Sequence, residues 1–165
     1  MTPKIVFLTE KKLIGHKIKM SLTDNKTGEL WRGFMPRKKD IKNTMSSDLI
    51  SMQVYDNPLN FNEFNQKNEF EKWAAIEVFD FNHVPDGMKI FTLIGGKYAV
   101  FSYKGLSTDT RIFDYIFTQW LPDSIYMLDN RPHFEVLGEK YKNNNINSEE
   151  DIWIPIKNRP LSISS

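Results

Sequence analysis

The sequence predicts an α+β fold: two strand–helix–strand–strand units related by a pseudo-twofold axis, forming an antiparallel sheet with two main helices and a central cleft. Three observations predict it. The order of element signals over residues about 13–80 recurs over residues about 88–157. Each half carries one stretch with a helical apolar stripe followed by proline, LWRGFM before Pro36 and FDYIFTQWL before Pro122. The remaining apolar runs alternate with period two, as strands do. Two such units lay two helices on one sheet and leave a groove at their junction, where ligand sites often form. The length of 165 residues suits one domain, expected over residues 1–157 with a disordered tail over 158–165.

Residues 3–9 are a short apolar run. In Leu13–Leu22, Ile14, His16, Ile18, Met20 and Leu22 alternate with polar positions, a half-exposed strand in which His16 reads as a core histidine. Asp24, Asn25 and Thr27 offer helix starts. Leu30, Trp31, Phe34 and Met35 then share one helical face until Pro36 ends or kinks it. The basic RKKDIK reads as a solvated helix end. Ile50–Tyr55 is a strand, and Asp56–Asn68, rich in Asn and Phe, is a long loop. Glu71–Asp80 fits helix or strand by period. Its Trp, Val and Phe content favours strand, with Trp73, Ala75 and Glu77 on one face.

Met88–Ile94 and Lys97–Lys104 are strands broken by Gly95-Gly96, a bulge, turn or close approach of backbones. Ser107 or Thr108 caps a helix, with Asp109 in its first turn. Its stripe is Ile112, Phe113, Ile116, Phe117 and Trp120, and Pro122 closes it. His133–Leu137 is a strand, Tyr141–Asn147 a polar loop, and Asp151–Lys157 the last strand. Ile152, Ile154 and Ile156 take one face of that strand and Trp153 the other. Pro155 places it at an edge or near its own end.

Composition narrows the chemistry. A formal net charge of +1 gives no global field toward nucleic acid or an anionic membrane. Without cysteine there are no disulfides, thiolate metal sites or thiol nucleophiles. No run is long enough to span a bilayer, and the N-terminus lacks a signal-peptide pattern, so a cytoplasmic protein is expected. His16, His83 and His133 are far apart, and no HExxH, GxGxxG, Walker or GxSxG motif occurs, so no metal or cofactor is expected. The acidic run Glu149–Asp151 reads as a solvated loop end. The 12 Phe, 6 Tyr and 4 Trp stand out; most should be core, and a surplus of aromatics can also line a cavity for flat organic molecules.

One acid stands out. In HFEVL, Glu135 shares a face with His133 and Leu137, while Phe134 and Val136 point the other way. If that face is covered, a carboxylate sits in an apolar interior at a cost of several kcal/mol unless paired. If it is wet, the acid is merely solvated. Spacing alone leaves both readings open.

The phrases EKWAAIEV, KYAVFSYKG, WLPDSIY, RPHFEVL and SEEDIWIPIK, in that order, resemble the GyrI-like small-molecule-binding domain. This domain also forms the effector-binding part of AraC-type and MerR-type regulators. The resemblance spans roughly residues 13–157 and is stronger in the C-terminal half. It implies an aromatic-lined cleft with one buried glutamate that receives cationic, lipophilic compounds. By motif position that glutamate is Glu135, with Leu137 beside it and Trp153, Trp73 and Tyr126 at aromatic positions. The helix faces add Trp31, Phe34 and Trp120, which serve equally well as plain core.

The resemblance implies a stand-alone binder of amphipathic, cationic, aromatic compounds, a multidrug sensor or sink. The alternative is a hydrolase of strained-ring electrophiles, with Glu135 as general base and Tyr126 as donor. A third reading is an inhibitory protein–protein interaction, as with DNA gyrase. No helix-turn-helix is legible, so the expected partner is a small lipophilic or cationic molecule. Direct nucleic-acid or membrane binding is not expected, and no protein partner is identified. His133, on the face of Glu135, would quench it by pairing.

Overall fold

The computed structural model describes residues 1–56 and 66–161. Nine strands are assigned: β1 (Lys4–Leu8), β2 (Lys11–Met20), β3 (Thr44–Val54), β4 (Phe70–Val78), β5 (Lys89–Leu93), β6 (Gly96–Lys104), β7 (Tyr126–Leu128), β8 (His133–Leu137) and β9 (Glu149–Asn158). Helix α1 (Thr27–Phe34) tightens into a 3-10 turn over Met35–Asp40, where Pro36 interrupts the α pattern. Helix α2 (Arg111–Tyr115) runs on as a π turn over Ile116–Trp120 and a last turn over Leu121–Asp123.

The strand order is β1-β6-β9-β8-β3-β4-β2-β5, with β7 added beside β9, and every pairing is antiparallel. This is the expected repeat. Unit one is β2-α1-β3-β4 and unit two is β6-α2-β8-β9, and they meet where β3 pairs with β8. Two strands outside the repeat extend the sheet. β1 precedes unit one but pairs with β6 of unit two, while β5 precedes unit two but pairs with β2 of unit one. The Gly95-Gly96 turn passes against the end of β1, where a Cβ on Gly95 would lie 2.3 Å from the carbonyl oxygen of Leu8. Only glycine admits that approach.

Side chains divide cleanly between the two faces. On one, Leu8, Leu13, Ile50, Met52, Trp73, Leu93, Tyr98 and Phe134 form a single core. This core joins β1, at one end of the strand order, to β5, at the other, so the sheet curls into a half-barrel around it. On the outer face, α1 packs through Leu30 and Phe34 on Ile14, Ala74, Ile76 and Val78. α2 and its extension pack through Ile112, Ile116 and Leu121 on Ala99, Phe101, Ile152, Ile154 and Ile156. Each helix therefore sits over its own unit, and the outer faces of β3 and β8 lie between them.

Several local expectations are corrected. α2 opens at Arg111, behind Thr110, because Asp109 turns back to accept the Arg111 backbone N–H at 3.0 Å instead of entering the first turn. Pro122 does not end the helix ahead of itself but lies inside the short last segment, Leu121–Asp123, near that segment's start. β9 is interior, not an edge. Pro155 is tolerated because its carbonyl, and so its absent N–H, faces the gap between β7 and β8, where Asp129 N–H donates to Pro155 O at 3.0 Å. Asn158 belongs to β9, and Arg159 is held by donating to Ser124 O at 3.2 Å and Leu121 O at 3.1 Å, so the expected disordered tail does not begin at 158. Residues 162–165, and most of the loop expected over Asp56–Asn68, lie outside the described residues. The apolar run over residues 3–9 is strand β1, whereas β7, only three residues long, has no clear sequence signal.

Candidate functional site

The groove between the helices has a floor made by alternate residues of the two central strands. β3 contributes Ser51 and Gln53, with Tyr55 just beyond its end. β8 contributes His133, Glu135 and Leu137. Register sets Ser51 opposite Glu135 and Gln53 opposite His133. One strand further out on either side, Lys72 of β4 is the register partner of Gln53. On β9, Glu150 lies on the same face as Ile152, the partner of Glu135. Polar and titratable groups thus collect on the strip of sheet between the two helices.

Few of them satisfy one another. Oε1 of Glu135 accepts a long hydrogen bond from Gln53 Nε2 at 3.5 Å. Oε2 is buried and has no hydrogen-bond partner among the described residues. Leaving a charged acceptor in that state costs about 1–3 kcal/mol or more. Burial accordingly holds the Glu135 carboxyl above its usual range, with the nearby Lys72 and Gln53 offsetting only part of the effect. Lys72 is 9% exposed. Its Nζ donates to Gln53 Oε1 at 3.0 Å, so the amide of Gln53 bridges ammonium and carboxylate. Burial lowers the Lys72 pKa, against the pull of Glu135 and Glu150. Burial and the Glu135 charge push Glu150 up to about 7, and the same two causes raise Tyr55. Glu150 is therefore a cleft acid and not part of a solvated loop end.

His133 does not pair with Glu135. Its ring meets those of Tyr55, centroids 5.2 Å apart and edge-on, and Phe117 at 6.1 Å. Burial alone brings it down to about 3, so it is a neutral, ring-packed wall of the cleft. Its folded pKa lies below the unfolded one, so its contribution to stability is lost as pH falls from about 6.5 to about 3. Glu150 has the opposite sign: its folded pKa is raised, so stability declines as pH rises from about 4.5 to about 7. Between pH 4.5 and 6.5 the two oppose each other. Glu150→Gln is expected to make the slope of stability against pH more positive across that window, measured by urea unfolding at several pH values.

The predicted site residues separate into three places. Glu135 and Leu137 lie on the cleft floor. Trp73 and Trp153 stand on the other side of the sheet: Phe134, not Glu135, is the register partner of Trp153, and the two rings stack at 5.2 Å and 15°. The remaining aromatics pack beneath or beside the helices. Phe34 is fully buried, edge-on to His16 and Trp31. Trp120 lies edge-on to Phe101 and stacks on Tyr126. Sequence reasoning missed Gln53, Tyr55, Lys72 and Glu150. A signal existed for three of them. In ISMQVY, Gln53 and Tyr55 alternate with Ile50, Met52 and Val54, and Lys72 falls in phase with Ala74 and Ile76.

Among the described residues no group of three His, Asp or Glu converges as metal ligands, and no helix is long and apolar enough to cross a membrane. A separate hollow of about 360 Å³ beside α1, lined by His16, Lys17, Glu29 and Lys89 among others, contains none of the cleft acids.

Three comparisons place this geometry. The transcriptional regulator BrlR of Pseudomonas aeruginosa is 26% identical over 158 residues, covering 94% of this chain and 56% of the regulator. The chain therefore spans just over half the length of that relative. The crystal structure of the EcmrR C-terminal domain superposes with a TM-score of 0.71 at 14% identity, covering 96% of this chain and 98% of that one. SAV2435 bound to tetraphenylphosphonium superposes with a TM-score of 0.63 at 16% identity, covering 95% and 94%. Both structures share the fold. A family model described as Cass2, integron-associated effector binding protein, matches residues 4–156. With its two-unit half-barrel and an acid at the unit junction, the chain belongs to this family of effector-binding proteins.

Proposed function

We propose that the cleft binds amphipathic organic cations of the delocalised, aromatic kind, with Glu135 as the counter-charge, and that the protein serves as a sensor or sink for a range of such compounds. The observation that carries this is the buried Oε2 of Glu135, without a hydrogen-bond partner among the described residues, on the strip of sheet between the helices. A buried carboxylate and a lipophilic cation each relieve the other's desolvation. The rings of Tyr55, His133 and Phe117 pack together on this strip, and an aromatic ring beside a bound cation adds cation–π attraction of roughly 0.5–2 kcal/mol per good contact. Neutral His133 does not compete as a cation. The tetraphenylphosphonium held by SAV2435 is a ligand of this chemistry on this fold.

The test is titration of the wild type with tetraphenylphosphonium and with neutral triphenylphosphine oxide, by calorimetry and thermal melting. The cation is expected to raise the Tm, by mass action worth about 2.7 kcal/mol at a hundredfold excess over Kd, and the neutral compound is expected to do much less. Glu135→Gln keeps the shape and removes the charge, and is expected to weaken the cation by about tenfold or more, the effect of losing roughly 1.4 kcal/mol or more of ion-pair energy. Equal affinity in wild type and variant would put the site elsewhere.

Hydrolysis of a strained-ring electrophile has one observation in its favour, the raised Glu135 carboxyl, which suits a general base. Tyr126 is not its donor. It pairs with Asn158, six positions along β9 from Ile152, the partner of Glu135, which is roughly 20 Å of strand. Turnover of a styrene-oxide-type epoxide by the wild type but not by Glu135→Gln would establish this second reading.

A further inference from the structure

The cleft floor holds its own cation. Lys72, Gln53 and Glu135 form a chain across three adjacent strands, Nζ to Oε1 at 3.0 Å and Nε2 to Oε1 at 3.5 Å. No carboxylate lies within salt-bridge distance of Lys72 among the described residues, because the Gln53 amide stands between. Glu150 faces the same strip from β9. Two acids and one ammonium, with the Gln53 amide between them, thus look onto one groove from four neighbouring strands.

We infer that Lys72 is a resident counter-cation that makes the cleft selective for ligands bearing a single positive charge. The inference rests on the binding reading above and deepens it. With every group ionised, Glu135, Glu150 and Lys72 sum to one negative charge. A bound monocation closes that sum to zero. A dication leaves one positive charge uncompensated in a partly buried groove, facing an ammonium that cannot leave. Burial and the Glu135 charge raise the Glu150 carboxyl, and Lys72 offsets part of that, so the ammonium acts on both acids. Remove the ammonium and two carboxylates face the groove unopposed, a pairing suited to two positive charges. A purely structural Lys72, present only to let the acids be buried, would change stability when replaced but not the ranking of ligands by charge.

The test uses two flat aromatic cations of nearly the same shape, N-methyl-4-phenylpyridinium with one charge and N,N′-dimethyl-4,4′-bipyridinium with two. Each displaces tetraphenylphosphonium from the full chain as wild type, Lys72→Met and Lys72→Gln, with melting curves confirming that the variants are folded. Lys72→Gln keeps a polar partner for Gln53 and carries the test if the methionine variant does not fold. The wild type is expected to prefer the monocation, and both variants to shift the affinity ratio toward the dication by about tenfold or more, the order for removing one unit charge a few ångströms away at an effective dielectric near 20. An unchanged ratio, a shift toward the monocation, or no displacement by either compound from any of the proteins overturns the inference while leaving tetraphenylphosphonium binding intact. Failure of tetraphenylphosphonium to bind the wild type overturns the reading on which it rests.

Discussion

Gly15→Ala is expected to lower stability by about 3 kcal/mol or more, and the Tm by roughly 6–12 °C for a chain of this size. Gly15 lies in the middle of β2, paired with Ala75 on one side and Lys89 on the other. A Cβ there would sit 2.0 Å from the carbonyl oxygen of Ala74 and 2.7 Å from the Cα of Ala75. Both are backbone atoms, so no rotamer change relieves the clash and β2 must part from β4. That junction carries Leu13 of the half-barrel core and Ile14 of the α1 core, both fully buried, so the cost spreads to both faces. Gly33→Ala is the control. Its Cβ would meet only the Nδ1 of His16, at 4.0 Å, and alanine in a helix is favoured over glycine by up to about 1 kcal/mol. Urea unfolding of the two variants should therefore give shifts of opposite sign. A Gly15→Ala protein as stable as wild type would show that β2 does not approach β4 so closely.

Why the fold was legible and the site only partly so follows from the kind of signal each leaves. The repeat, the two amphipathic helices and most strands are written in periodicity, which is local. Ile152, Ile154 and Ile156 alternate against Trp153 whatever lies around them. Strand neighbours are not local. Nothing in HFEVL states that β8 pairs with β3, and that pairing is what puts Ser51 opposite Glu135 and brings Gln53 and Lys72 within reach. The same gap hid on which side of the sheet the aromatic positions stand relative to Glu135. Trp73 and Trp153 share motifs with the cleft strands, but a one-residue offset in a strand is a change of face. Parity within each strand was readable; its relation to Glu135 needed the register. Lys72 shows both sides. Its phase with Ala74 and Ile76 marked a lysine on an apolar face, but its meaning came only with Gln53 and the two acids. Pro155 misled because proline's edge rule assumes a continuous neighbour, and β9 has two short ones with a gap.

Trp73→Ala is expected to cost about 3–5 kcal/mol, the range for deleting a large aromatic side chain from a core, and to leave cleft affinity unchanged. Trp73 is 2% exposed. Its ring lies edge-on to Phe91 at 5.3 Å, Lys17 Nζ sits 5.7 Å from its centroid, and its Nε1 donates to Glu71 Oε1 at 2.7 Å. All of these lie on the half-barrel side. The variant therefore opens a cavity and orphans a carboxylate hydrogen bond while touching nothing on the floor of the groove. Stability is read by urea unfolding. Affinity is read on Trp73→Phe and Trp153→Phe, which keep an aromatic in place and stay folded, by titration with tetraphenylphosphonium well below their melting temperatures. Kd values within about twofold of wild type are expected for both, against the tenfold or greater loss for Glu135→Gln. Loss of affinity in either phenylalanine variant at near-wild-type stability would mean that the ligand enters the half-barrel. The pocket wall would then be the aromatic set Trp73, Tyr98, Phe134 and Trp153, with Glu135 on the far side of the sheet from its ligand. The two outcomes cannot coexist, because β8 turns Phe134 and Glu135 to opposite faces and a ligand contacts only one of them.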